Sequence, residues 1–143
     1  MQKIFDEVNS LDKRCYEDFS LSEDILMEHA SSSIALYIEE KHEDKKSVLI
    51  VCGSGNNGAD GIALARLLHT KFEVSLYFYS KAKSNMGKLQ YKRAVSLGIP
   101  IIDEITRFDI VVDCIFGSGL NKALDNEAIS LINKLNSLES IKI

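Results

Sequence analysis

Two periods of hydrophobic and polar positions divide the chain. Ile4, Val8, Leu11 and Cys15 recur at helical spacing and predict a first helix over residues 2–16. Ser20 followed by Glu23 has the form of a capping box, and Leu26, Ala30, Ile34, Tyr37 and Ile38 continue one apolar face to about Glu40. The charged stretch 39–46 reads as a loop. The pattern then changes. Ser47 to Cys52, S-V-L-I-V-C, is apolar without polar alternation, as a strand covered on both faces of a parallel sheet must be. A glycine-rich loop follows, then a helical pattern from Asp60 to about His69. Glu73 to Tyr79 reads as a second strand. Ser84 caps a helix that ends at Gly98, a residue suited to the left-handed position after a helix. Ile99 to Ile102 and Asp109 to Phe116 read as third and fourth strands. Asn126 to Leu138 reads as a helix, and Ile141 to Ile143 as the opening of a fifth strand.

Strands that alternate with helices predict an α/β fold: a Rossmann-like three-layer αβα domain with an open, mostly parallel sheet and right-handed crossovers. The expected strand order is 3-2-1-4-5, preceded by two N-terminal helices. Ligands of such sheets sit at the carboxyl ends of the strands where the order reverses. That point lies between the first and fourth strands, so function is to be sought at Cys52–Gly61 and Asp113–Leu120.

The first of these loops, Gly53-Ser54-Gly55-Asn56-Asn57-Gly58-Ala59-Asp60-Gly61, holds G-x-G-x-x-G between a strand and a helix. Glycines admit a ligand close to the backbone, and the helix N-terminus offers free N–H groups to phosphate. A dinucleotide dehydrogenase also needs an acid at the end of the second strand for the ribose 2′-hydroxyl. Here that position reads Tyr79-Ser80-Lys81, which disfavours the usual NAD pose. Asn56 and Asn57 are more polar equipment than a phosphate cradle requires and read as ligand-binding; Asp60 alone reads as a helix cap. Asp113 stands in the apolar run Ile110–Phe116 and is expected to be buried, so it needs partners. It either accepts N–H groups from a neighbouring loop or holds a cation or ligand, for which the oxygens of Asn57 and the loop carbonyls suit a hard cation. Gly117-Ser118-Gly119-Leu120 forms a second small-residue loop beside the first, and Asn121-Lys122 is placed to close the rim.

Composition narrows the classes. The 143 residues fit one domain, with 45% hydrophobic and 27% charged residues. A net charge of −4 argues against nucleic acid as a partner. Lys81, Lys83, Lys88, Lys92 and Arg93 form a local basic cluster that reads as a solvated helix face, with a local anion site as the alternative. Cys15, Cys52 and Cys114 show no C-x-x-C spacing, and His29, His42 and His69 show no metal-ligand spacing. Cys52 and Cys114 read as packing residues. No apolar signal core and no membrane-length apolar run is present, which makes a reducing cytoplasm the default.

The loop Gly53–Gly61 closely resembles the G-x-G-N-N-G-G-D-G signature of YjeF N-terminal domains, the NAD(P)HX epimerases. Asp113-Cys114-Ile115-Phe116-Gly117-Ser118-Gly119-Leu120 resembles that family's D-A-I-F-G-T-G-L, and Leu26-Met27-Glu28-His29-Ala30 resembles its L-M-E-x-A-G. The resemblance implies an isomerase that interconverts the R and S epimers of hydrated NADH and NADPH (NADHX and NADPHX), in support of a fused or separate dehydratase that restores the cofactor. It also implies a monovalent cation, usually potassium. By position, Asn56, Asn57, Gly58, Ala59 and Asp60 would contact the substrate, as would Gly117, Ser118, Gly119, Leu120, Asn121, Lys122 and Ala123; Asn57 and Asp113 would bind potassium. Members of the family are commonly homodimers, although no heptad or large apolar patch is legible here. The chain departs from the pattern at Ala59 and Ser31, where the family has glycine. The family's D-x-P-S-G, whose Asp is the expected catalytic acid–base, does not occur up to Ile143; Pro100 is the sole proline. The catalytic residue is therefore left unassigned. The expectation is a single domain over 1–143, incomplete at its C-terminal end, with little activity alone. The alternative is a non-catalytic nucleotide-binding or interaction scaffold on the same fold, as in eukaryotic enhancer-of-decapping proteins.

Overall fold

The strand signals translate into one parallel sheet. A computed structural model describes residues 9–121 and 123–143. Its strands are β1 (Ser47–Cys52), β2 (Glu73–Phe78), β3 (Ile101–Ile102), β4 (Ile110–Cys114) and β5 (Ile141–Lys142), in the spatial order β3-β2-β1-β4-β5. Every pairing is parallel. β1 is central, and Val48 to Cys52 are fully buried, as their unbroken apolar run requires.

Helices α1 (Asn9–Phe19) and α2 (Glu23–Lys41) precede the sheet. α3 (Asn56–Leu68) connects β1 to β2, α4 (Asn85–Ser96) connects β2 to β3, and α5 (Asn126–Ser137) connects β4 to β5. On one face, Ile62, Ala65 and Leu68 of α3 pack with Val48, Ile50, Leu76, Ile110 and Val112. On the other, Leu131 and Leu135 of α5 cover Leu49, Val51 and Val111. Helices on opposite faces to either side of β1 place the reversal point between β1 and β4. Among the described residues no helix is long and apolar enough to cross a membrane.

Several boundaries differ from expectation for local reasons. The predicted first helix over 2–16 is described only from Asn9, and it runs on to Phe19; residues 2–8 lie outside the described part. Ser20 does not cap α2. It sits at φ 53, in the left-handed region between the two helices, and Ser22 is the cap, its hydroxyl accepting from Ile25 N–H. The buried face of α2 is Met27, Ser31, Ala35 and Ile38, whereas Ala30, Ile34 and Tyr37 are exposed. β3 is shorter than Ile99–Ile102 because the Ile99 N–H is taken by Ala94 O at the end of α4 and Pro100 has none to give. Ser84 caps α4 by accepting from Gly87 N–H, and Gly98 has φ 71, both as expected. Arg93 departs from the solvated face assigned to it: it forms a two-pronged pair with Asp24 of α2, both contacts at 2.7 Å.

Candidate functional site

The site begins with glycine sterics at the end of β1. The Gly53 N–H donates to Cys114 O at 2.9 Å, and a Cβ on Gly53 would meet the Ile115 carbonyl oxygen at 1.8 Å. A Cβ on Gly58 would meet the Gly53 oxygen at 2.1 Å, and one on Gly61 would meet the Cys114 side chain at 2.8 Å. Three of the loop's glycines thus seat the start of α3 directly on β1 and β4. The helix begins four residues earlier than Asp60, with Gly55 as its cap. Asp60 is therefore inside α3 and is not its cap.

This packing opens a cleft of about 620 Å³ at the carboxyl ends of β1 and β4. One wall is Ser54, Gly55, Asn56 and Asn57; the other is Phe116, Gly117, Ser118, Gly119, Leu120, Asn121 and Ala123. The two glycine loops face each other across it, as the sequence implied. Asn57 joins them, its Nδ2 donating to the Phe116 carbonyl at 2.9 Å. Asn56 is shared with a neighbouring hollow, its Nδ2 donating to Glu23 Oε1 at 2.6 Å. The N-terminal N–H groups of α3 lie along the first wall, which fits an anionic group of a ligand.

Not every expected residue reaches the cleft. Gly58 does not line it, and Ala59 is fully buried against Met27 and Ala63, so its methyl does not narrow the cleft. Asp60 faces the smaller hollow bounded by Asp12, Tyr16, Glu23 and Leu26. Burial first, and then the charges of Glu23 and Asp12, push its carboxyl up to about 6. Its carbonyl accepts from the hydroxyl of buried Ser31 at 3.0 Å, which accounts for a hydroxyl where a small residue packs against α3. Lys122 lies outside the described residues.

Asp113 corrects the sequence reading. β4 is buried at every position except this one, so the carboxylate is exposed rather than buried. Its Oδ1 accepts from Ile115 N–H at 2.9 Å. Asn57 and Asp113 therefore brace the turn 113–117 from two sides, one through Phe116 O and one through Ile115 N–H. Each retains an oxygen without a hydrogen bond among the described residues. That donor chemistry, together with backbone carbonyls, fits a hard cation better than a transition metal. Among the described residues no cluster of three or more His, Cys, Asp or Glu exists that could hold a metal ion.

Other cleft residues were not singled out as binding residues from sequence. Tyr79 donates its hydroxyl to both carboxylate oxygens of Asp125, at 3.0 and 3.2 Å, and its ring meets Phe116 edge-on at 5.8 Å. Asp125 also caps α5, accepting from Ala128 N–H at 2.8 Å. Desolvation, followed by the bond to Asp125, raises the Tyr79 hydroxyl. The signal for Asp125 was its place just before a predicted helix, a cap position. Cys52 and Cys114 are buried partners across β1 and β4; burial pushes the first well up and the second to about 12, so both are inert packing thiols.

Residues 23–143 match the family described as YjeF-related protein N-terminus. The chain belongs to this family. Among curated relatives, this YjeF-related domain is 37% identical over 132 residues to the bifunctional NAD(P)H-hydrate repair enzyme Nnr of Helicobacter pylori, covering 87% of the chain and 28% of that protein. It is 32% identical to the NAD(P)H-hydrate epimerase of Leuconostoc citreum, covering 96% of the chain and 64% of the relative, and 30% identical to that of Oenococcus oeni, covering 91% and 68%. The chain thus spans about two thirds of the epimerase relatives and under a third of the bifunctional one. The crystal structure of yeast ynu0 superposes with a TM-score of 0.79 at 20% identity, over 94% of this chain and 65% of the yeast chain, and supports the fold.

Proposed function

We propose that this YjeF-related domain is an NAD(P)H-hydrate epimerase domain that interconverts the R and S epimers of NADHX and NADPHX. The observation that carries the reading is the cleft itself. An Asn-Asn-Gly helix start and a Gly-Ser-Gly-Leu loop face each other at the reversal point of the sheet, in a chain whose relatives bear that name. In the substrate the hydroxyl-bearing carbon lies next to a ring nitrogen. The nitrogen lone pair expels the hydroxyl as water once it is protonated, leaving an iminium that water re-attacks from either face with loss of a proton. This chain's residues would hold the substrate for that exchange: the first N–H groups of α3 on phosphate, Asn56 and Asn57 on polar groups, and residues 117–121 with Ala123 as the opposite wall. Among the described residues lining the cleft the carboxylate is Asp125, which is occupied by Tyr79 and by its cap.

Asn57 and Asp113 would hold a monovalent cation, potassium, which supplies a fixed positive charge when bound and leaves proton transfer to other groups. The bifunctional relatives support a dehydratase as partner, fused or separate. The three free thiols suit a reducing cytoplasm, and a homodimer is proposed as the assembly. The test is to incubate the protein with pure R epimer and follow the S epimer by chromatography. Little conversion is expected from residues 1–143 alone, and conversion faster than the spontaneous rate from a protein extended through a D-x-P-S-G segment; no acceleration by the extended protein overturns the assignment.

A further inference from the structure

Beside the cleft lies a second cavity of about 630 Å³, between the end of β2, β3 and α4. It adjoins the cleft, with Tyr79 and Ser80 lining both. Its apolar surface comes from Phe78, Tyr91 and Ile101. Tyr91 is 42% exposed and braced edge-on by Phe78 at 5.6 Å, which leaves ring surface open to a flat base. Its rim carries Lys81 and Lys88. Both are exposed and form no ion pair among the described residues, in a chain of net charge −4. The segment is fixed against the glycine loop by Lys83 N–H donating to Ser54 O at 2.9 Å, and the Lys83 residue itself lines the cleft.

In nucleotide-binding sheets of this kind the residue at the end of the second strand reads the ribose 2′ position, an acid selecting hydroxyl and a cation selecting phosphate. Here that place holds lysines around an aromatic slot. We propose that this slot seats the adenosine end of the substrate and that Lys81 and Lys88 bind its 2′-phosphate, so that the protein favours NADPHX over NADHX. The proposal rests on the epimerase reading for its substrate, but the slot's preference for a 2′-phosphate is measurable without any turnover.

The test is calorimetric titration of the protein with adenosine 2′,5′-bisphosphate and with 5′-AMP, alongside kcat/KM for epimerisation of NADPHX and NADHX. The bisphosphate should bind about tenfold or more tightly than AMP, the factor of one charge-assisted contact. The double variant Lys81→Glu/Lys88→Glu should erase that preference, while Lys92→Glu, on α4 outside the slot, should keep it. Equal binding of the two nucleotides, no binding of either, or a preference that survives the double variant would overturn the proposal. A retained bisphosphate preference with no epimerisation even by the protein extended through a D-x-P-S-G segment would refute the enzymatic reading and leave the slot standing. Epimerisation at equal kcat/KM for both substrates, without that preference, would do the reverse.

Discussion

Gly58→Ala sets two known effects against each other. In an ordinary helix the change to alanine stabilises by about 1 kcal/mol. Gly58 lies in the first turn of α3 with no left-handed backbone to excuse it, so propensity alone favours alanine. The new methyl, however, would lie 2.1 Å from the Gly53 carbonyl oxygen and 2.8 Å from its carbon, both backbone atoms. Neither end can swing away, because Gly53 is hydrogen-bonded to Cys114 O and itself touches Ile115. The helix start must move outward by more than about 1 Å, and because both neighbours are backbone atoms the overpacking cost falls at the upper end of its usual range, roughly 2–3 kcal/mol. With the propensity gain opposing, a net loss of about 1–2 kcal/mol is expected, or roughly 3–6 °C in Tm. Gly119→Ala is the control, since a Cβ there meets nothing within 4 Å; its Tm should change by less than about 1 °C. Urea and thermal unfolding of the three proteins decide the matter. A Gly58→Ala protein as stable as Gly119→Ala, or more stable than the parent, would refute the steric account of the loop.

Asp60 has a folded pKa of about 6, raised above its ordinary 3.8, so the folded state holds the proton more tightly and stability falls as pH rises from about 4 to 6. Asp60→Asn should remove that slope and raise stability at pH 7 by on the order of 1 kcal/mol, a gap that closes in melts near pH 4. Asp24 shows the opposite sign. Its bond to Arg93 holds the carboxyl below 3.8, so its contribution is present above that pH and is lost as pH falls through the folded value. Asp24→Asn should cost about 1 kcal/mol at pH 7 by denaturant titration and nothing once the parent carboxyl is protonated. If Asn57 and Asp113 hold a monovalent cation, potassium chloride should raise Tm above an equal concentration of choline chloride; Asp113→Ala should abolish that difference, and an equal response would make Asp113 a structural acceptor only.

The sheet was legible in the sequence because its strands are unbroken apolar runs separated by turn and helix-cap residues. S-V-L-I-V-C can be little other than a central strand, and the 3-2-1-4-5 order follows from crossover geometry. The two facing glycine loops were legible for the same reason. What failed was finer. The pattern puts the start of α3 at Asp60, because the true first turn contains a glycine, a poor helix former kept here for close packing. The buried face of α2 escapes the pattern because it uses Ser31 and Ala35, small residues that apolar counting passes over in favour of exposed Ile34 and Tyr37. The apolar neighbours of Asp113 imply burial, yet a strand covered at four of five positions still opens one face near its carboxyl end. The Tyr79–Asp125 bond joins residues 46 apart in sequence, a pairing that only the fold creates.

The central claim is that the cleft between the two glycine loops is the nucleotide seat. A crystal structure of the protein soaked with NADPHX, or with NADP as a stable surrogate, tests it most directly. Density is expected between 54–57 and 116–121, with a phosphate against the first N–H groups of α3. Density confined to the acidic hollow of Asp12, Glu23 and Asp60, or to any surface away from the cleft, would contradict it.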